Sequence, residues 1–191
     1  MNQKLIIEKN FNLALENHQK NNLQVAERIY KKILKINPNH FQSICFLGTL
    51  SIQTKKFERA KQLFYKAIEI QPNNANVHNN LGTLFKELGE FQKAINYFQK
   101  AIEIQPGYAD SHYNLGIVFK KLREFQKAIS CYQKAIKIQP RHADAHNNLG
   151  AALRELGDYE KPIICYEKAI QIEPNHVSAH NNLGNIFKEL G

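Results

Sequence analysis

The stretch HNNLG occurs at 78–82, 146–150 and 180–184, and HYNLG fills the intervening place at 112–116, so each copy begins 34 residues after the one before. A fixed interval of that size marks an internal repeat, and a repeat decides the architecture before any other feature is weighed. The prolines keep the same beat at Pro38, Pro72, Pro106, Pro140 and Pro174. So do Gly48, Gly82, Gly116, Gly150 and Gly184, and the aromatics Tyr30, Phe64, Phe98, Tyr132 and Tyr166. With Phe41 as a first position, the units run 7–40, 41–74, 75–108, 109–142 and 143–176, followed by a partial 177–191. A single solenoid domain over 1–191 is the expectation.

Each unit carries two helical patterns. In the third, Val77, Leu81, Leu84 and Leu88 fall at i, i+4, i+7 and i+11, one apolar stripe of a helix. Gly89 then offers the left-handed position that ends a helix. A second stripe follows in Phe91, Ala94, Ile95, Phe98, Ala101 and Ile102, and Pro106 forces it to stop. Asn73 and Asn74, or Asp110 and Asp144 in the first turn, supply caps or dipole partners for the next helix. Gly82 in mid-helix costs about 1 kcal/mol relative to Ala, and its recurrence predicts a close helix crossing there. One helical pair cannot bury both of its apolar faces, whereas stacked pairs can.

On these residues the chain resembles the tetratricopeptide repeat (TPR) family. The family's small residue, Ala, aromatic, Ala and Pro correspond to Gly82, Ala94, Phe98, Ala101 and Pro106, and the likeness extends over nearly the whole chain. It implies an all-α fold, a right-handed α-solenoid of stacked antiparallel helix pairs. Three departures are informative. His78, His112, His146 and His180 stand where the family often has Trp. Unit 7–40 is degenerate, with Ala14 in place of Gly. Pro162 replaces the Ala found at 60, 94 and 128, which predicts a loosened or re-angled start to its helix.

The bulk numbers narrow the class. Forty-three per cent hydrophobic residues suffice for a folded core. The formal charge of +9 raises the question of acidic or nucleic-acid partners. Three cysteines without a CxxC argue against a disulfide framework or zinc site and suit a reducing compartment. The first residues, MNQKLIIEKNFN, do not read as a signal peptide, and the longest uncharged run, 41–54, is too short to span a bilayer. The chain reads as cytoplasmic.

Catalysis finds no nucleophile–base–orienter set, so the chain reads as no enzyme and no cofactor is expected. HADAH (142–146) and HVSAH (176–180) place two imidazoles at i, i+4, but two ligands do not make a metal site. The recurring histidines read as packed between helices with a hydrogen bond, and Cys131 and Cys165 as inert thiols. Lys93, Lys100, Lys127, Lys134, Lys161 and Lys168 read as the solvated outer face of the second helices. Nucleic-acid binding is therefore not favoured.

The first helices hold the candidate site. Asn80, Asn114, Asn148 and Asn182 recur on their polar stripe, with Asn79, Asn147 and Asn181 adjacent. Asn is a mediocre mid-helix residue, whereas a purely solvated face would use Glu, Lys or Gln. Amides repeated along a groove can donate to and accept from the backbone of an extended peptide. The ladder is similar to that of the superhelical repeats of O-GlcNAc transferase. Lys86, Lys120, Arg154 and Lys188 form a second ladder near the C-terminal ends of these helices, suited to helix-dipole compensation or to acidic peptide side chains. The two-carboxylate clamp of the family's chaperone-binding members is not matched, since Asn76, Asp110, Asp144 and Ser178 stand in its Lys position.

The function expected is a scaffold that binds a partner protein or extended peptide in a concave groove. The alternative is a substrate-docking arm of a larger glycosyl-, sulfo- or methyltransferase. Leu183, Ile186, Phe187 and Leu190 lack their usual second helix before Gly191, which suggests a fragment of a longer chain.

Overall fold

The computed structural model describes residues 3–190. Gly191 and the side chain of Leu190 lie outside the described residues. Among the described residues there are eleven α-helices and no strand: α1 (Gln3–Gln19), α2 (Leu23–Ile36), α3 (Phe41–Gln53), α4 (Phe57–Ile70), α5 (Ala75–Glu87), α6 (Phe91–Ile104), α7 (Ala109–Lys121), α8 (Phe125–Ile138), α9 (Ala143–Arg154), α10 (Glu160–Ile172) and α11 (Val177–Leu190). Odd-numbered helices are the first of each repeat and even-numbered helices the second. They form two compact units, α1–α5 and α6–α11, divided between Gly89 and Glu90.

Within each unit, every helix packs on the next in sequence, and the first helices also touch one another: α1 on α3 and α3 on α5, then α7 on α9 and α9 on α11. The first unit is centred on Ala14, Ala26, Ile29, Tyr30, Ile33, Leu47 and Leu50, with Phe11, Tyr30 and Phe46 in mutual ring contact. In the second unit Tyr132, Tyr166, Ala169, Ala179 and Ile186 are fully buried.

The mid-helix glycines have the packing reason that their recurrence predicts. A Cβ at Gly48 would lie 2.6 Å from the Phe64 ring, at Gly116 2.6 Å from Tyr132, and at Gly150 2.7 Å from Tyr166. Each ring of a second helix therefore seats on bare backbone of the first helix in its own repeat. At Gly184 nothing lies within 4 Å.

Turn chemistry repeats too, though the residues vary. The residue that reverses the chain between first and second helix is left-handed in five repeats: Asn21 (φ 60), Lys55 (φ 56), Gly89 (φ 75), Arg123 (φ 61) and Gly157 (φ 81). At the following turn, Asn74 accepts from the Val77 amide, and His40 and His142 do the same for Ser43 and Ala145. The histidines in the Trp position have a common partner. Nε2 of His78, His112, His146 and His180 bonds the carbonyl of Pro72, Pro106, Pro140 and Pro174 at 2.8, 3.0, 3.0 and 2.9 Å. Each ties its first helix to the preceding turn and satisfies a carbonyl that the helix cannot use.

At Pro162 the start of the helix differs from its counterparts. α4, α6 and α8 begin at Phe57, Phe91 and Phe125, whereas α10 begins one residue later in the repeat, at Glu160. Ala60, Ala94 and Ala128 donate to Lys56, Glu90 and Glu124, a bond that proline has no N–H to make. Asp158 compensates by accepting the Lys161 amide through its side chain at 3.1 Å.

Candidate site on the first helices

Asn80, Asn114, Asn148 and Asn182 occupy equivalent places on α5, α7, α9 and α11, and all four are half-buried. Asn148 and Asn182 are each held by a bond to the preceding repeat. Asn148 Nδ2 donates to the Tyr113 hydroxyl at 3.0 Å, and Asn182 Nδ2 donates to Asn147 Oδ1 at 2.9 Å. Both acceptors lie 35 positions earlier, so each amide reaches the residue beside the ladder asparagine of the preceding repeat. Lys120 Nζ completes the first link by donating to Asn148 Oδ1 at 2.7 Å.

A carboxamide offers two donors and two acceptor lone pairs, so one bond at each end leaves Asn148 a further donor and acceptor. The lattice of cross-repeat bonds holds the side chain in place and lowers the ordering cost of binding something else. Around it, burial lowers the Lys120 pKa, opposed by Glu155. Burial also pushes the Tyr113 hydroxyl up to about 12. Tyr113 is therefore a neutral hydroxyl, and its ring lies 4.6 Å from that of His142.

The neighbouring asparagines divide. Asn79 and Asn147 are 7% and 6% exposed and belong to the packing, Asn147 as the acceptor for Asn182, while Asn181 is exposed. The cationic ladder divides as well. Lys86 is half-buried against Glu87 at 3.5 Å, Lys120 is committed to Asn148, Arg154 meets Glu189 at 3.4 Å, and Lys188 is exposed. The four cations thus have four different surroundings.

Tyr113 is the site residue that the repeat pattern alone overlooks. Its signal is the single substitution that turns HNNLG into HYNLG. Another cross-repeat link joins His176, buried at the start of α11, to Asp144 Oδ1 at 3.2 Å. Among the described residues no three His, Cys, Asp or Glu side chains are grouped to hold a metal ion, and no helix is long and apolar enough to cross a membrane.

Models of the tetratricopeptide repeat match residues 10–40, 41–74, 75–108, 109–142 and 131–161, and a TPR repeat model matches 150–191. The comparison with curated proteins gives no match. Among solved structures, a crystal structure of MamA protein is 27% identical, with 90% of this chain and 93% of that one covered at a TM-score of 0.68. YrrB, described as a TPR protein with an unusual peptide-binding site, is 24% identical over 95% and 97% of the two chains at 0.67. TTC0263, a thermophilic TPR protein of Thermus thermophilus, is 16% identical over 95% and 98%, with a TM-score of 0.81.

Proposed function

Since the chain belongs to the tetratricopeptide repeat family, we propose that it is an interaction scaffold whose first-helix face binds an extended segment of a partner protein. The observation that carries this reading is the placement of Asn148 and Asn182: half-exposed, fixed by a bond to the preceding repeat, and retaining unused hydrogen-bonding capacity. Recurring amides suit a peptide backbone, whose own donors and acceptors recur whatever its side chains are. Asn114 belongs to the same set, Asn181 lies beside Asn182, Asn147 props it from the preceding repeat, and Asn79 and Asn80 hold the equivalent repeat positions on α5. Lys86, Lys120, Arg154 and Lys188 bias the face toward acidic residues in the bound segment.

The role is one of binding rather than catalysis. The setting we assign is the cytoplasm. Cys45, Cys131 and Cys165 are free thiols, and burial pushes them up to about 12, 11 and 11. Unpaired, protonated thiols suit a reducing compartment.

The test replaces Asn80, Asn114, Asn148 and Asn182 together by Ala and measures affinity for a partner recovered with the unmodified chain. A loss of tenfold or more is expected while the helical circular dichroism is retained. Unchanged affinity in a folded variant refutes the reading.

A further inference from the structure

The net charge is not spread along the chain. Residues 1–89 hold thirteen Lys and Arg against six Asp and Glu, a surplus of +7, and residues 90–191 hold thirteen against eleven, a surplus of +2. Between Lys20 and Lys66 ten cations face two acids, Glu27 and Glu58.

The later repeats provide an internal control. On their second helices Lys93, Lys127 and Lys161 pair with Glu90, Glu124 and Asp158, one turn earlier. The repeat position of those acids is Asn22 in the first repeat and Lys56 in the second. On α2, Arg28, Lys31, Lys32 and Lys35 are all exposed on one helix. Of these, Lys31 alone has an ion-pair partner among the described residues, Glu27. Arg28 to Lys32 and Lys31 to Lys35 are steps of four residues, about 6 Å along a helix. Alternate residues of an extended chain are spaced by nearly the same interval, roughly 6.6 Å.

The molecule also contains a carboxylate bound in this cluster. Glu27 sits between Arg59 at 2.6 Å, Lys31 at 2.8 Å and Lys56 at 3.0 Å, joining α2 to the α3–α4 turn and α4. The cations that surround it hold its carboxyl down at about 2, Lys31 foremost. One carboxylate is satisfied there and the α2 stripe beyond it is not.

We propose that the outer face of α2, with Arg28, Lys32 and Lys35 at its centre, is a second docking surface that takes an acidic segment of a partner protein in extended form. It lies on a second helix, apart from the first-helix asparagines. Charge complementarity supplies the attraction and the steps of about 6 Å supply the register. A protein segment is favoured over single-stranded nucleic acid because no aromatic is offered for stacking among these cations: Tyr30, which lies between Arg28 and Lys31 in the sequence, is fully buried. An anionic bilayer is disfavoured because the stripe carries no row of apolar residues to insert.

The experiment uses the full chain and a fluorescein-labelled peptide of alternating Glu and Ser, twelve residues long, followed by anisotropy in about 150 mM salt, where the screening length is about 8 Å. Arg28→Glu with Lys32→Glu is compared with Lys134→Glu plus Lys168→Glu, the same charge change on α8 and α10. The α2 pair should lose at least tenfold in affinity and the control pair less than threefold, with the Asn-to-Ala quadruple variant unaffected. If charge reversal unfolds the chain, Lys32→Gln with Lys35→Gln should still lose threefold or more. Absence of peptide binding, or equal losses in the two pairs, overturns the proposal. So does tighter binding of a single-stranded oligonucleotide of matched charge, or of phosphatidylserine vesicles, when that binding is lost on α2 reversal.

Discussion

At Gly116 a single missing carbon decides the fit of a repeat. The Tyr132 ring occupies the space a Cβ would need, at 2.6 Å, and Tyr132 is itself fully buried. Gly116→Ala should therefore destabilise the chain by about 1–3 kcal/mol through overpacking. Gly184→Ala meets nothing within 4 Å and should be neutral or stabilising by up to about 1 kcal/mol, the ordinary helix preference for Ala. Urea midpoints of the two variants provide the comparison, and equal shifts would refute the packing account. Lys55 makes the reverse case. It is exposed and held at φ 56, where an L residue costs roughly 1–2 kcal/mol. Lys55→Gly should raise stability by about 0.5–1 kcal/mol once the extra freedom of unfolded glycine is counted. A lower midpoint would show that the lysine has a contact outweighing its strain.

Within an element, the start of α10 is where one residue changes a backbone pattern that its neighbours share. Pro162 removes a bond that Ala128 makes to Glu124 in α8, and the Asp158 side chain instead accepts the amide of the preceding residue, Lys161. Amides at 160, 161 and 163 should exchange roughly tenfold faster than those at 126, 127 and 129, because local opening there breaks fewer bonds. Pro162→Ala should bring the two sets within a few-fold. Equal exchange in the unmodified chain would mean that the capping aspartate compensates in full. The proline ruler and the apolar stripes made the helices legible in the sequence, and Pro162 marked where the start of α10 departs from its counterparts, because both depend on local geometry. The left-handed turn position is legible only where it is a glycine, at Gly89 and Gly157, since Asn21, Lys55 and Arg123 hide the same conformation behind ordinary side chains. Tyr113 was hidden for another reason. A 34-residue period says which residues are equivalent, not that an amide reaches the side chain 35 positions back. That offset comes from how one first helix lies against the next.

Over the whole molecule, each unit is a chain of nearest-neighbour contacts, so links between repeats carry the cooperativity. Glu27 is such a link, joining the first repeat to the second through Lys56 and Arg59. The overall charge had no legible meaning as a total. It becomes informative when divided along the helices, where one acid stands among many cations. Its carboxyl titrates near 2 when folded, against an ordinary value of 4.5, so the folded state holds fewer protons than the unfolded chain between those limits. Its contribution is therefore fully present above about pH 4.5 and disappears as pH falls toward 2. Glu27→Gln should unfold at a lower temperature than the unmodified chain at neutral pH. The difference should shrink steadily below pH 4.5 and approach zero near pH 2, while histidine protonation cancels from the comparison because both chains share it. Thermal midpoints of the two chains at closely spaced pH values measure this directly. A gap that stays constant into acid would mean that the side chain acts through its shape rather than its charge, and that the cations around it need no carboxylate to stay together.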